Sequence, residues 1–286
     1  MRFSIVIPTY NGEYFIEQTL LSALEQHRPF DEIIVSDDNS TDKTLEICEK
    51  YKDRIKIYKN ENGPSGFTNG WNNAVAKATG DYIAILHQDD LLDKSFLLEM
   101  EKVINDNPDV LHLFSTCNYI NRKNELIGFS YLEFNKIRRY SGLEYVKAYQ
   151  KLGNPHIHRC PGVITHRRIF EKMQYNPAAG HIADDDFFYR VGQYTDIVGI
   201  LKPLASYRIH NQSETGKLSD VNLVKRLIDA YAFQIIQWKD CDFLDVEAYG
   251  FFVEKWRKYK RRYLGYGIKH VNIRVVVYAL RYRYFK

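Results

Sequence analysis

Apolar and polar positions alternate along the first hundred residues in blocks that read βαβαβαβα. Phe3-Ser4-Ile5-Val6-Ile7 is an apolar run of strand length, closed by Pro8. Residues 13–26 put Phe15, Ile16, Leu20, Ala23 and Leu24 on one helical face. Glu32-Ile33-Ile34-Val35 and Ile55-Lys56-Ile57-Tyr58 predict the second and third strands. Between them lies a helix carrying Leu45, Ile47, Cys48 and Tyr51, with Asn39 or Ser40 as its expected cap. The loop Asn62-Gly63-Pro64-Ser65-Gly66 leads to a helix ending before Gly80. Asp81-Tyr82-Ile83-Ala84-Ile85-Leu86 is the fourth strand, followed by a helix over 94–106. After residues 110–117 the pattern loosens into mixed strands. Ser141-Gly-Leu-Glu144 reads as a capping box that opens a helix. From Ser219 onward the apolar spacing (Leu223, Leu227, Ile228, Tyr231, Ile235, Trp238) is helical.

This alternation predicts an α/β fold with a mainly parallel central sheet flanked by helices. Ligands of such sheets bind beyond the carboxyl ends of the strands. Polar clusters stand at those ends: Thr9-Tyr10-Asn11 after the first strand, Asp37-Asp38-Asn39-Ser40 after the second, His87-Gln88-Asp89-Asp90 after the fourth. They converge on one edge, where the site is expected.

Each acidic cluster has a plain reading beside a chemical one. Asp37-Asp38 suits a solvated, helix-capping pair, or a carboxylate accepting the imide N–H of a uracil while a nearby aromatic ring stacks on the base. Asp89-Asp90 suits a turn before a cap at Asp93, or a pair of hard oxygen donors for Mg²⁺ or Mn²⁺ on a substrate diphosphate. Asp184-Asp185-Asp186 suits helix N-terminal acidity, or a crowded carboxylate with the raised pKa of a general base. His210, in Tyr207-Arg208-Ile209-His210-Asn211, suits a satisfied polar residue or a third metal ligand.

Taken together, the clusters resemble the family 2 glycosyltransferases of the GT-A fold, the fold of nucleotide-diphospho-sugar transferases. The matching stretches are Ser4-Ile-Val-Ile-Pro-Thr-Tyr-Asn-Gly12, Ile34-Val-Ser-Asp-Asp-Asn-Ser-Thr-Asp42 and Gly80-Asp-Tyr-Ile-Ala-Ile-Leu-His-Gln-Asp-Asp90, with a weaker match through Asp184 to Arg190 and at Tyr207-Arg208-x-His210. By that resemblance Pro8, Thr9, Tyr10, Glu13 and Asn72 line the nucleotide pocket and Asp38 binds uracil. Asp89 and Asp90 resemble the acidic motif that holds Mn²⁺ or Mg²⁺, with His210 as the candidate third ligand read above. Asp184 is the catalytic base of an inverting sugar transfer from a nucleotide-sugar, a UDP-sugar above all, to a glycan or lipid-linked acceptor of surface polysaccharide or lipopolysaccharide. The chain departs from the family pattern at His87, where another Asp is usual, at Ala183, which leaves Asp185 as a rival base, and at Trp71, which stands for an Arg.

Composition changes the picture in two places. Residues 255–286 hold eleven Lys/Arg and no Asp or Glu, and without them 29 basic side chains face 36 acidic ones. An acidic body with a basic, aromatic-rich C-terminal segment predicts a partner for that segment. An anionic membrane surface is the expected one, with a solvated tail or a contact to another subunit as the plain reading; the sugar-transfer motifs make nucleic acid a poorer match. The four scattered cysteines fit a reducing compartment, and no apolar run approaches the ~20 residues of a membrane span. The expectation is therefore a cytoplasmic protein, peripheral at the inner membrane face, with a GT-A domain over 1–215 and a helical basic segment over 216–286. Two rivals remain. A sugar-nucleotide pyrophosphorylase would need a Gly-rich basic phosphate loop after the first strand, where this chain has Thr9-Tyr10-Asn11-Gly12. A non-catalytic binding module is supported by His87 and Ala183.

Overall fold

The structure, a computed structural model, describes residues 1–130, 136–152, 157–211, 213, 216 and 219–269. It separates into two compact units, one of residues 1–175 with 187–209, the other of residues 176–186 with the chain from 210 onward. The segment 176–186 thus groups with the C-terminal region, which the expected division at 215 did not foresee.

The first unit is built on one ten-stranded sheet. Its elements in chain order are β1 (Phe3–Thr9), α1 (Ile16–Leu24), β2 (Glu32–Asp37), α2 (Thr44–Glu49), β3 (Lys56–Lys59), α3 (Phe67–Lys77), β4 (Tyr82–Ile85), β5 (Leu91–Leu92), α4 (Phe96–Asp106), β6 (His112–Ile120), β7 (Leu126–Phe129), β8 (Ile137–Tyr140), α5 (Gly142–Leu152), β9 (Val163–His166), α6 (Arg167–Lys172) and β10 (Ile197–Arg208). The sheet order is β3-β2-β1-β4-β9-β6-β10-β5, with β7 on β6 and β8 on β10. The first four strands are mutually parallel. β9 runs antiparallel to both β4 and β6, and β6 is parallel to β10. The carboxyl ends of β1, β2, β4, β6 and β10 therefore share one edge.

β1 and β2 are buried at every position, which is why they read as unbroken apolar runs. Helix α1 covers the sheet with Ile16, Leu20, Ala23 and Leu24, and α4 with Phe96, Leu97, Met100, Val103 and Ile104. The capping box holds: Glu144 accepts the Ser141 N–H at 2.9 Å, and Ser141 Oγ accepts the Glu144 N–H at 3.4 Å. The expected cap of α2 does not. That helix starts at Thr44, whose N–H donates to Asp42 at 3.0 Å, because Ser40 is engaged with Asp37 and with the turn after β1. At the edge opposite the strand-end turns, the buried Glu32 carboxylate accepts from Ser4 Oγ and Thr79 N–H, both at 2.7 Å, and from Lys56 at 2.8 Å.

The second unit contains α8 (Asp220–Trp238) and α9 (Val246–Lys269), with a 3-10 turn over Pro177–Ile182. Ser219 caps α8 through the Asn222 N–H. Phe252, Trp256 and Tyr263 of α9 are buried, and Tyr231 of α8 stacks on Tyr259 at 5.7 Å. The basic segment is thus in part a packed helix, with Arg257, Lys258, Arg261 and Arg262 exposed on it; residues 270–286 lie outside the described residues. Between 175 and 197 the chain also forms α7 (Ala183–Val191), whose first turn belongs to the second unit. No helix among the described residues is long and apolar enough to cross a membrane.

Candidate active site

The turn after β1 is held from two sides. On one, Asn11 Oδ1 accepts the Thr41 N–H at 2.8 Å, Asn11 N–H donates to Ser40 Oγ at 2.9 Å, and Gly12 N–H donates to Thr44 Oγ1 at 2.8 Å. Glu13 accepts the Lys43 N–H at 3.1 Å and donates its own N–H to Asp42 at 3.1 Å. On the other side, Gln88 Oε1 accepts from Thr9 Oγ1 at 2.6 Å and Tyr10 N–H at 2.8 Å, while its Nε2 donates to the Tyr10 carbonyl at 3.1 Å. A Cβ on Gly12 would lie 2.5 Å from Gln88 Oε1, so a side chain there would push the Gln88 amide out of this clip. Pro8 and Thr9 are buried, whereas the Tyr10 ring is exposed at the rim. Gln88 stands in the expected polar cluster, but its role as a clip on the β1 turn was not foreseen.

Asp38 is buried beside this turn. Asn60 Nδ2 donates to its Oδ1 at 2.7 Å, and Ser65 donates through N–H at 2.7 Å and Oγ at about 3 Å. An ionised carboxylate offers about four acceptor positions, and three protein donors already converge on Asp38. Asn72 is engaged elsewhere. Its Oδ1 accepts the Tyr175 N–H at 3.0 Å and its Nδ2 donates to the Tyr175 carbonyl at 2.8 Å. Both functional atoms thus hold backbone 103 residues away, a structural task that leaves the amide one further N–H and one lone pair.

The acidic pair is held by Arg208, at the end of β10. Asp90 is 1% exposed; its Oδ1 accepts the Arg208 N–H at 2.8 Å. Arg208 Nε donates to the Asp89 carbonyl at 2.7 Å, Nη1 to the Asn121 carbonyl at 3.1 Å and Nη2 to Gln18 Oε1 at 3.1 Å, with the guanidinium 4.5 Å from the Phe15 ring centre. Burial, and then the neighbouring Asp89, push the Asp90 carboxyl well above the usual range, against the pull of Arg208 and Arg159. Asp90 Oδ2 is buried without a hydrogen bond, and His87 Nδ1 stands 3.9 Å away. The His87 ring stacks on Trp71 at 4.9 Å, and Trp71 meets Tyr175 edge-on.

A divalent cation fits this donor set, because Mg²⁺ and Mn²⁺ sites commonly use one or two carboxylates and complete their shell with phosphates and water. Among the described residues no three His, Cys, Asp or Glu side chains gather as a metal cage. His210 belongs to the second unit.

In that second unit the three adjacent aspartates differ. Asp186 is fully buried; its Oδ1 accepts from Gln234 Nε2 at 2.8 Å and Gln237 Nε2 at 2.9 Å. Asp185 acts electrostatically on Tyr231, Tyr259 and Lys255. Burial pushes the Tyr231 hydroxyl well up, and Asp185 adds to that; burial also lowers Lys255, with Lys258 assisting and Asp185 opposing. Asp184 and Asp185 are half-buried.

A parallel strand edge with a laced β1 turn, a buried Asp38 and an acidic pair of which Asp90 is buried is the architecture of the GT-A nucleotide-sugar fold. The profile of glycosyl transferase family 2 matches residues 4–174, and the chain belongs to that family. It is 35% identical over 116 residues to the poly(ribitol-phosphate) beta-N-acetylglucosaminyltransferase TarS of Staphylococcus aureus, a match covering 39% of this chain and 20% of TarS. It is 34% identical over 120 residues to the GalNAc(5)-diNAcBac-PP-undecaprenol beta-1,3-glucosyltransferase of Campylobacter jejuni, covering 41% of this chain and 38% of that one. The matched stretches thus span well under half the length of these relatives. In structure, TarS 1–349 in complex with UDP aligns with a TM-score of 0.62 at 20% identity, over 93% of this chain and 72% of that one. The mannosyltransferase PcManGT of Pyrobaculum calidifontis, in complex with GDP-Man and Mn²⁺, aligns with a TM-score of 0.56 at 20% identity, over 82% and 64%.

Proposed function

We propose that the chain catalyses inverting, metal-dependent transfer of a hexose or N-acetylhexosamine from a UDP-sugar to an acceptor hydroxyl in surface-glycan synthesis. The observation that carries this reading is the shared sheet edge, where Gln88 ties the exposed Tyr10 and its turn to the loop bearing Asp89 and Asp90. Family membership and the UDP complex of TarS support it.

In this reading the nucleoside occupies the turns carrying Pro8, Thr9, Tyr10, Glu13 and Asp38. Tyr10 offers a ring for the base, and Asp38 the acceptor for its imide N–H. Asp89 and Asp90 would hold Mn²⁺ or Mg²⁺, with His210 as a third ligand; the cation, when bound, neutralises the diphosphate. Asp184 takes the proton of the acceptor hydroxyl as its oxygen bonds to the anomeric carbon. The bond from that carbon to the diphosphate oxygen breaks with its electron pair, and UDP departs.

The acceptor is read as a surface glycan, polymeric or lipid-linked, in line with the poly(ribitol-phosphate) and PP-undecaprenol in the names of the two relatives above. The basic residues of 255–286 would then face an anionic leaflet, with the protein peripheral at the cytoplasmic side.

The test is thermal stability with UDP- and GDP-sugars and Mn²⁺, followed by assay of donor hydrolysis and transfer. A UDP-sugar at 100 times its Kd is expected to stabilise by ~2.7 kcal/mol. Stabilisation without turnover of any donor would leave a binding module, and no stabilisation at all would overturn the nucleotide-sugar reading.

A further inference from the structure

Three adjacent aspartates open α7, and only Asp186 is fully buried, beside half-buried Asp184 and Asp185. We propose that Gln234 and Gln237 of α8 are positioning residues, which fix the first turn of α7 through Asp186 and thereby set the direction of Asp184. The inference rests on the reading of Asp184 as the base.

Asp186 is fully buried, and a buried carboxylate without donors would be costly. Its donors are two amides three residues apart, hence on one face of α8, and both reach the same Oδ1. The orientation of one amide is settled by chemistry. The buried Trp238 Nε1–H donates to Gln234 Oε1 at 2.8 Å, and an indole N–H can only donate. Gln234 Oε1 therefore faces Trp238, and its Nε2 is left for Asp186. The sequence Trp238 to Gln234 to Asp186 is a directed chain of hydrogen bonds from the core of the helical unit to the first turn of α7.

At 3.6 residues per turn, Asp184 projects ~200° around the helix from Asp186. Anchoring Asp186 against α8 thus turns Asp184 away from α8 and fixes its azimuth. A general base misplaced by ~1 Å can lose ~100-fold in rate, so an anchor two residues away acts on turnover while leaving the donor pocket alone. Residues 220–238 lie beyond the 4–174 matched by the family profile, so the anchor is supplied by a part of the chain that the profile does not cover.

The experiment measures kcat at saturating donor and acceptor, UDP affinity and thermal stability for Gln237→Leu, Asp186→Ala, their double variant, Asp186→Asn and Asp184→Asn. We expect Gln237→Leu and Asp186→Ala each to lose ~10-fold or more in kcat with UDP affinity within about twofold. In the double variant the two losses should not add, since both remove one linkage. Asp186→Asn should restore most of the rate, because its carbonyl oxygen can still accept both amides. A folded Gln237→Leu with full kcat, or additive losses, overturns the positioning role. So does an Asp186→Asn variant as dead as Asp184→Asn, which would make Asp186 the base. If Gln237→Leu does not fold, Gln237→Asn takes its place, keeping the amide but shortening its reach. A fully active Asp184→Asn would instead sink the base assignment, whatever the glutamine variants do.

Discussion

Arg208 donates its backbone N–H to Asp90 Oδ1 at 2.8 Å while its Nε reaches the Asp89 carbonyl at 2.7 Å, so one residue of β10 sets both members of the acidic pair. The planar guanidinium also serves Asn121 and Gln18, a fork that an ammonium cannot reproduce. Arg208→Lys should fold at a reduced melting temperature and bind UDP at least ~10-fold more weakly in Mn²⁺, with little change in EDTA. Calorimetric titration in the two buffers checks this, and unchanged Mn²⁺-dependent affinity would refute it. Arg208→Ala, which strands buried partners, should cost ~3–5 kcal/mol of stability.

The buried Asp90 Oδ2 motivates a metal prediction. EDTA should stop sugar transfer, and Mn²⁺ or Mg²⁺ should restore it. Asp90→Ala should weaken UDP binding only when metal is present. Full activity in EDTA would return the pair to the role of a structural turn.

For the base, Asp184→Asn should lower kcat by ~10²–10⁴-fold and leave UDP affinity nearly unchanged. A single-turnover assay with both variants separates the candidates: an active Asp184→Asn beside a dead Asp185→Asn moves the role one residue along.

Much of this was legible because the physics is local. β1 and β2 are covered on both faces and so read as unbroken apolar runs, and the polar clusters sit where parallel strands must end. What was hidden depends on distant partners. Arg208 lies 118 residues from Asp90, and Asn72 103 from Tyr175; no periodicity reports either pairing. β9 inserts between β4 and β6 only after a long excursion, which makes the sheet mixed beyond its first four strands. Gln88 stood in an expected polar cluster, but its role did not show, since a single amide looks the same in a turn or a clip. The packed part of the basic segment does carry a sequence signal: Phe252, Trp256, Tyr259 and Tyr263 repeat at the 4,3,4 spacing of a helix face, beneath the dominant run of charge.

Glu32 gives a pH prediction remote from the site. Burial raises its carboxyl, but hydrogen bonds from Lys56, Ser4 and Thr79 outweigh that and bring it to about 2. A depressed folded value contributes stability above the unfolded value of ~4.3 that is lost as pH falls towards 2. The contribution at neutral pH is ~3 kcal/mol, less whatever salt screens from the exposed Lys56. Urea unfolding from pH 6 to pH 3 should therefore show a steeper loss in the native protein than in Glu32→Gln; parallel curves would contradict it.

Because Trp256 and Tyr263 are buried in α9, removing the segment would damage the helical unit, and charge removal is the cleaner test of membrane contact. Replacing Arg257, Lys258 and Arg261 by Gln should reduce sedimentation with anionic liposomes at low salt and spare the melting temperature. Each basic side chain contributes ~1 kcal/mol near an anionic leaflet. Equal sedimentation of the two proteins would exclude these residues as the contact.

The helical unit is discontinuous along the chain, joining residues 176–186 to a region that begins at 210. During synthesis from the amino end, Asp186 leaves the ribosome 48 and 51 residues ahead of the two glutamines that will neutralise its burial. Until then its charge keeps the segment in water and postpones collapse there, while most of the sheet already has its strands to pair. A nascent chain arrested before α8 would already hold every strand of the sheet but leave its aspartate turn unanchored, so with Asp184 as the proposed base, transfer would wait until translation has passed α8.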